Sequence, residues 1–342
     1  MKTVSKRHNF IKKVVVCLLT AVLLYVFLSI IGSVLVFRLL FRRTEFPALT
    51  ELSYADIDAD RYARSAFTFD SGGRTLSGYL YEKPDPTGTV VVAGGLYSGA
   101  DRHLSEIICF LDHNWQVFAF DATGVGESEG DSIVGLPQTK RDLLAAIRAL
   151  RADRLPADQP LVLYGHSVGG YASVAVLAQT DEVAAAVSLA GFNSPVETMY
   201  YHARQRLGFL ADAEYPFMWL HNRLTFGEDA DVAASDVLGA TEVPVAVIEG
   251  TGDTAVPPSI GIGRYAASCG NPKVEYVQVD APYKNTHAAL WLTETAARKT
   301  AERLAAAEPE TALSTETRLA LNEVDPEFMA YVLDFYERAI EP

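Results

Sequence analysis

The sequence predicts an α/β protein in which a mostly parallel, twisted sheet carries helices on both faces, with one transmembrane helix at the N-terminus. Short β-rich runs alternate with amphipathic segments along most of the 342 residues, a pattern typical of parallel sheets. The β-rich runs are almost continuously hydrophobic, as expected of strands covered on both faces. Residues 14–37 contain no charged side chain, and a stretch of this length can cross a bilayer as a helix.

The first 43 residues combine a basic head with this apolar segment. They contain eight Lys and Arg side chains and no Asp or Glu. The 24 residues of segment 14–37 would form a helix roughly 36 Å long, which is enough for a hydrocarbon core of about 30 Å. A cleaved signal peptide would have a shorter apolar stretch, about 7–15 residues, followed by a small-residue cleavage site. We therefore expect residues 14–37 to anchor the chain in a lipid bilayer, with a buried core helix as the alternative.

The charges that flank the apolar segment indicate an orientation. Five basic residues precede the segment and three follow it. Positively charged flanks tend to stay on the cytoplasmic side of a membrane. This small excess favours a single-pass protein with its N-terminus in the cytoplasm and its body on the extracytoplasmic side.

The rest of the chain is predicted to be a polar tether, residues 44–64, followed by one large domain, residues 65–342. The predicted strands are 66–70, 75–81, 89–93, 116–120, 160–164, 183–190, 243–249 and 273–279. Gly72 and Gly73 join the first two strands and predict an antiparallel hairpin. Leu143, Leu144, Ile147 and Leu150 fall on one helical stripe between two strands. The stretch 192–240 breaks the alternation and predicts a helical cap insertion. Later helices are expected near 288–307 and 325–339.

Charge and cysteine content exclude several classes of function. After the first 43 residues the chain carries 21 basic and 43 acidic side chains. A body this acidic repels phosphate backbones, so we expect no nucleic-acid partner. Three cysteines without a metal-ligand spacing indicate neither a disulfide framework nor a zinc site.

The segment 161–177 contains the pattern G-x-S-x-G, formed by Gly165, Ser167 and Gly169. A predicted strand precedes it and an Ala- and Val-rich helical run follows. In this context a nucleophilic serine occupies a sharp, strained turn from strand to helix, where the glycines avoid side-chain clashes. The helix N-terminus also favours developing negative charge. We predict that Ser167 is a nucleophile; the alternative is a serine in a glycine-rich turn without chemistry.

A serine hydroxyl needs a base, and the base needs an acid that orients it. In strand–turn–helix hydrolases of this kind the chain order is Ser, then Asp or Glu, then His. Asp253 lies just beyond a predicted strand, with Glu249 and Asp280 as competing acids. His287 is the one histidine that follows Asp253. We predict Asp253 as the acid and His287 as the base; the earlier histidines of the body, such as His103, are expected to be helix-surface or cap residues.

Acyl transfer also requires N–H groups that stabilise an oxyanion. One is expected from Val168, directly after the nucleophile. The second is expected from the loop 93–99, which follows the first long parallel strand, with Leu96 as the best candidate and Tyr97 as the alternative.

With these residues placed, the body resembles the α/β-hydrolase superfamily, especially bacterial hydrolases related to the serine aminopeptidase S33 group. The resemblance covers about 65–340 and is carried by DATGVGES (121–128), GHSVGG (165–170) and GTGDTAVPP (250–258). Two positions depart from the family pattern: Gly94-Gly95 stands where His-Gly is common, and Thr286 where Gly commonly precedes the catalytic His. The resemblance implies the α/β-hydrolase fold and hydrolysis of carboxylic esters or related acyl groups, without a metal or organic cofactor.

The cap insertion suggests the kind of substrate. It is rich in large apolar side chains, which could line a pocket for a small-molecule ester or acyl substrate with a medium or long chain. Tyr97, Phe217 and Trp219 are the predicted substrate-binding residues; the alternative is that the cap side chains mainly pack onto the body. Two further functions stay open: a serine peptidase on the same triad, and a catalytically silent, membrane-tethered binding protein.

Overall fold

The structure, a computed structural model, describes residues 2–43, 52–306 and 313–341, with side chains from residue 8 onwards. The first part of the predicted tether, residues 44–51, therefore lies outside the described residues. Helix α1, Lys2–Leu40, contains the whole apolar segment. Within the described residues, the part of α1 from His8 to Leu40 is the one helix long and apolar enough to cross a membrane, by length and composition.

A single sheet of eight strands forms the centre of the described body, with the order β1-β2-β4-β3-β5-β6-β7-β8. The strands are β1 Ser65–Asp70, β2 Thr75–Tyr81, β3 Thr89–Ala93, β4 Gln116–Phe120, β5 Leu161–His166, β6 Ala185–Leu189, β7 Val245–Gly250 and β8 Val274–Val279. The predicted hairpin is present: β1 pairs with β2 antiparallel, and Gly72 and Gly73 adopt positive φ angles in its turn. Strand β2 pairs antiparallel with β4, and from β4 to β8 all pairs are parallel.

Helices cover both faces of the sheet. They are α2 Leu104–Asp112, α3 Gln138–Asp153, α4 Val168–Ala175, α5 Pro195–Leu207, α6 Leu210–Phe226, α7 Ala234–Ala240, α8 Gly263–Ala266, α9 Glu294–Ala305, α10 Thr315–Leu321 and α11 Pro326–Ile340. Strands β3 to β7 are buried along their whole length, because each face packs against a hydrophobic cluster. This sandwich explains their continuous apolar sequence.

The end of α1 is part of the body. Phe37 and Phe41 are buried in the hydrophobic cluster on one face of the sheet. The guanidinium of Arg43 donates hydrogen bonds to the carbonyl oxygens of Gly126, Ser128 and Gly130, at 2.6 to 2.9 Å. The helix therefore does more than tether the body, because its last turn and the residues after it are packed and hydrogen-bonded into the fold.

The cap insertion contains two long helices, α5 and α6, and the short α7. Helices α5 and α6 form a hairpin, and α6 also packs along α1. The hydroxyl of Tyr25 in α1 donates to the carbonyl of Ala213 at 2.9 Å. The cap thus has two neighbours, the body and the N-terminal helix.

Candidate active site

Ser167 lies in the turn between β5 and α4, with φ 57° and ψ −116°. L-residues adopt this region rarely, and the conformation is stable only where the surroundings enforce it. Two glycines make the turn possible. A Cβ at Gly165 would lie 2.2 Å from the carbonyl oxygen of Gly169, and a Cβ at Gly169 would lie 2.0 Å from that of Ala93. Both contacts are far inside van der Waals distance, so neither position accepts a side chain.

Asp253 lies in the loop after β7 and is buried. Its Oδ1 accepts hydrogen bonds from the backbone N–H groups of Ala255 and Val256, both at 2.8 Å. Its Oδ2 accepts from Nδ1 of His287 at 2.7 Å. These three donors fix the carboxylate and point one oxygen at the imidazole.

His287 completes the arrangement from the loop after β8. Its Nε2 lies 2.9 Å from Oγ of Ser167. With Nδ1–H donating to Asp253, Nε2 is free to accept the serine proton. The loop is tied to the acid loop, because the backbone N–H of Gly252 donates to the carbonyl of Asn285 at 2.9 Å. The structure thus brings the three predicted residues together in the order of a Ser–His–Asp triad.

The competing acids are engaged elsewhere. Glu249 accepts a hydrogen bond from the hydroxyl of Tyr276 at 2.6 Å and another from the backbone N–H of Gly263. Asp280 accepts from the hydroxyl of Thr251. Asp253 is therefore the acid whose carboxylate contacts His287.

The proposed oxyanion donors border the nucleophile. Val168 is the first residue of α4, and such an N–H has no acceptor within its own helix. Leu96 lies in a tight turn in which the N–H of Ser98 donates to the carbonyl of Gly95 at 3.1 Å. A Cβ at Gly95 would lie 3.4 Å from Cβ of Ser167. The turn is therefore pressed against the serine, and glycine allows the close approach.

Asp121, the first residue of the DATGVGES motif, holds this turn from the other side. Its buried carboxylate accepts from the N–H of Ala100 at 2.7 Å and from the N–H of Glu127 at 3.0 Å. Burial raises the pKa of Asp121 above its usual value. The motif therefore links the 121–128 loop to the end of the oxyanion loop.

Sequence reasoning assigned no role to His166, although it directly precedes the nucleophile. Its Nε2 donates to the backbone carbonyl of His287 at 2.8 Å. Burial, reinforced by the neighbouring His287 and His103, holds the pKa of His166 well below its usual value, so the ring is neutral. His166 thereby supports the loop that carries the catalytic base.

His103 is expected to be a helix-surface or cap residue, and it is the N-cap residue of α2. It stands at the start of α2 but is buried, with its Nδ1 2.7 Å from Oε1 of Glu106. Its ring packs 5.1 Å from that of Trp291. This burial could not be predicted from the sequence, because Trp291, which packs on the ring, comes from a distant part of the chain.

The predicted substrate-binding residues lie in different places. Tyr97, next to Leu96, donates its hydroxyl hydrogen to the carbonyl of Leu40 at the end of α1. The ring of Phe217 packs edge-on against Tyr25 of α1, with centroids 5.7 Å apart. Trp219 is exposed, and its indole N–H donates to Asp231 at 3.1 Å. Tyr97 thus lies in the oxyanion loop, and Trp219 contacts another residue of the cap. Phe217 contacts α1 because α1 covers one face of α6.

Metal binding has no visible basis in the described part of the chain. Among those side chains, no group of three or more His, Cys, Asp or Glu residues is arranged to hold a metal ion.

Comparison with known proteins gives a family match over part of the chain. A sequence model of the family described as serine aminopeptidase, S33, matches residues 84–228, a range that contains the oxyanion loop and Ser167. The chain is 27% identical over 197 residues to the uncharacterized protein YfhR of Escherichia coli O157:H7. That match covers 56% of this chain and 63% of the relative, so it spans less than two thirds of the relative's length.

Solved structures extend the likeness to most of the chain. An esterase of Pyrococcus furiosus superposes with a TM-score of 0.58 at 18% identity, covering 87% of this chain and 98% of that chain. Est1E of Butyrivibrio proteoclasticus, solved with bound ferulic acid, superposes with a TM-score of 0.51 at 17% identity, covering 70% and 96%. At these identities the likeness shows the fold. The chain therefore has the predicted α/β-hydrolase fold with a long apolar N-terminal helix, and the family match supports a hydrolase.

Proposed function

We propose that this protein is a membrane-anchored serine hydrolase that cleaves carboxylic esters through a covalent acyl-enzyme. The observation that carries the proposal is the continuous hydrogen-bonded series from Asp253 through His287 to Ser167. It ends at a serine whose backbone is strained. A binding protein would have no need of this alignment.

The reaction follows from these groups. His287 Nε2 takes the hydroxyl proton of Ser167 as Oγ bonds to the acyl carbon, and the carbonyl oxygen becomes an oxyanion. The N–H groups of Val168 and Leu96 stabilise that charge. When the carbon–oxygen bond to the alcohol breaks, His287 gives its proton to the leaving alcohol. The same histidine then removes a proton from water, which attacks the acyl-enzyme and releases the acid.

Asp253 has a positioning and electrostatic role. Its carboxylate keeps the imidazole in the tautomer that leaves Nε2 free, and it stabilises the imidazolium that forms during each step. The two backbone N–H donors to Oδ1 hold the carboxylate in place. The carboxylate therefore needs no rearrangement when charge develops on His287.

A medium or long acyl chain is the proposed substrate preference. The proposal rests on the apolar anchor and on the large side chains of the cap, both of which suit a substrate that partitions into lipid. Among the three predicted pocket residues, Tyr97 is the one that stands next to an oxyanion donor. Rates for p-nitrophenyl esters from C2 to C16 test this; activity confined to the acetyl ester would overturn it.

A serine aminopeptidase is the second candidate, because the matched family carries that description and amide hydrolysis uses the same groups. Recognition of a free amino terminus calls for acidic side chains near the site. Among the cap acids, Asp229 forms ion pairs with Lys140 and Arg141, and Glu214 accepts a hydrogen bond from Ser29. Because these carboxylates are engaged, we favour the ester. Cleavage of aminoacyl amides faster than esters of equal size would favour the peptidase.

One experiment tests the enzyme against a silent binding protein. The full-length protein in detergent is treated with a fluorophosphonate probe, beside the variants Ser167→Ala and Ser268→Ala. Ser268 is an exposed serine between α8 and β8 and serves as the matched control. We expect labelling of the wild type and of Ser268→Ala, and none of Ser167→Ala. Equal labelling of all three, or of none, would contradict the proposed function.

A further inference from the structure

We propose that the hairpin of α5 and α6 enters the lipid bilayer beside α1, so that one apolar stripe of α6 contacts acyl chains. The proposal rests on the proposed membrane anchoring by α1. It adds a second membrane-contacting element to that anchor.

The first step is the register between the two helices. Tyr25 contacts Ala213, Ser33 contacts the carbonyl of Phe217, and the rings of Phe37 and His221 lie 4.0 Å apart. Residue numbers rise together along both helices, so they run in the same direction. From position 25 to position 37 of α1 the helix rises about 18 Å. Helix α6 therefore accompanies the C-terminal half of the apolar segment.

The second step is the position of the hairpin tip. Residues 207–210 join α5 to α6, and Phe209 is 77% exposed. The tip precedes Ala213 and so lies at or beyond the level of Tyr25. Position 25 is the middle of the apolar segment 14–37. If that segment crosses a hydrocarbon core of about 30 Å, the tip lies inside the core.

The third step is the surface that the hairpin presents. Ala213, Pro216, Leu220 and Leu224 are all exposed, and their spacing of three and four places them on one face of α6. This stripe lies next to the row that contacts α1, formed by Glu214, Phe217 and His221. It therefore continues the exposed apolar surface of α1, whose side chains from Val14 to Val36 are largely uncovered. Continuity with α1 is what identifies lipid as the occupant.

Two acidic side chains of α6 are paired. Glu214 accepts a hydrogen bond from Ser29 of α1 at 3.1 Å. Asp212 accepts from the hydroxyl of Tyr200 at 2.5 Å and lies 3.4 Å from Arg204. Pairing of this kind lowers the cost of charged groups in a membrane. Arg206, near the tip, is exposed, so insertion carries the cost of placing its charge in the core.

The insertion would place the active site at the bilayer surface. Leu40, the last residue of α1, accepts a hydrogen bond from Tyr97 beside the oxyanion loop. An ester dissolved in the adjacent leaflet would then reach Ser167 from the membrane side. The inference thus narrows the substrate class of the proposed enzyme to acyl esters that reside in the bilayer.

Depth-dependent quenching tests the insertion. The native cysteines Cys17, Cys109 and Cys269 are replaced by alanine, and single cysteines are introduced as Leu18→Cys, Phe209→Cys, Leu220→Cys and Leu319→Cys. Each variant is labelled with a nitrobenzoxadiazole probe and reconstituted into phosphatidylcholine vesicles with or without brominated acyl chains. Leu18 reports the anchor, and Leu319, which is 44% exposed on α10, reports the body. Fluorophosphonate labelling checks that each variant is folded.

We expect strong quenching at positions 18, 209 and 220, and quenching at position 319 that is at least several-fold weaker. The depth dependence should place the probe at 209 deeper in the bilayer than the probe at 220. Quenching at 18 without quenching at 209 would overturn the hairpin insertion and leave the anchor intact. No quenching at 18 would overturn the anchoring itself. The probe at position 209 could instead be shielded from water only at high protein-to-lipid ratios, without quenching by brominated lipid. That result would assign the stripe to contact with a second copy of the protein and would also overturn the proposal.

Discussion

The backbone of Ser167 is held in a conformation that costs of the order of 1–3 kcal/mol. The residues packed around Ser167 keep it in that conformation. At Gly165 and Gly169, β5, α4 and the end of β3 pack so closely that a side chain at either position would clash with the backbone. The N–H of Ser167 donates to the carbonyl of Leu189 at 2.8 Å, which ties the turn to the next strand. The nucleophile is thus positioned by buried backbone groups, which do not need to move when a substrate binds.

At the same scale, we predict that Asp253→Asn lowers kcat by about 10⁴-fold with little change in KM, because an amide would favour the wrong imidazole tautomer. Esterase kinetics of the full-length protein measure the loss. Asp280→Asn is the matched control, since Asp280 also follows a strand but contacts Thr251. A comparable loss in both variants would contradict the assignment of the acid.

His166 gives a prediction about stability and pH. Its pKa is held well below the usual value by burial, next to the rings of His103 and His287. Below pH about 6.5 the unfolded chain binds a proton at this position that the folded protein does not. The folded state therefore loses stability as pH falls from 7 to 5, by up to about 1.4 kcal/mol per pH unit from this one group.

The variant His166→Gln removes the titration and retains an N–H donor. We expect its melting temperature to fall less steeply between pH 7 and pH 5 than that of the wild type. His113→Gln, at an exposed position after α2, is the control and should follow the wild type. Parallel curves for wild type and His166→Gln would show that His166 titrates normally in the folded protein.

At the scale of elements, α1 and the 121–128 loop depend on each other. Arg43 donates to three carbonyl groups of residues 126–130, and Asp121 connects the same loop to the oxyanion turn through Ala100. Arg43, just after α1, is therefore connected to the end of the 93–99 loop by two consecutive sets of hydrogen bonds. A substitution at the end of α1 should therefore alter the position of the predicted oxyanion donors, although the substituted residue does not contact substrate.

We predict that Arg43→Ala lowers the free energy of unfolding by on the order of 2 kcal/mol, because it leaves carbonyl groups without a charged donor, and that it also lowers kcat. Thermal unfolding and esterase assays in detergent measure the two effects. Arg38→Ala removes an exposed basic residue of α1 and should change neither the free energy of unfolding nor kcat. A stability loss without a change in kcat would show that the loop does not transmit strain to the oxyanion turn.

The elements differ in how far the sequence predicts them. Strands β3 to β7 are buried on both faces, so their hydrophobic runs are local and easily recognised. Ser167, Asp253 and His287 could be named because each follows a strand at the same edge of the sheet, in a known chain order. The docking of α1 against α6 could not be predicted, since a helix that is apolar on all sides has no periodicity to mark its contact face. The contact of Phe217 with Tyr25 of α1 could not be foreseen for that reason.

At the scale of the whole molecule, charge is distributed very unevenly. The head, residues 1–43, is basic and lies largely in the apolar helix, whereas the remainder carries 21 basic and 43 acidic side chains. Some acids are paired, such as Asp56 with Arg318 and Glu275 with Arg338, but the net charge is unaffected by pairing. The electrostatic potential around the body is therefore negative over most of its surface.

This charge imbalance predicts how kcat/KM differs between soluble substrates of equal size but different charge. A negative potential raises the encounter rate of cations and lowers that of anions, and salt screens it over about 10 Å at 0.1 M. We expect kcat/KM for a cationic choline-type ester to fall, and kcat/KM for an anionic ester with a carboxylate tail to rise, as NaCl increases from about 0.01 to 0.5 M. A neutral ester of the same acyl length is the control and should change little. If kcat/KM for all three esters responded to salt in the same direction, the effect would come from stability or detergent, and electrostatic steering by the acidic body would be refuted.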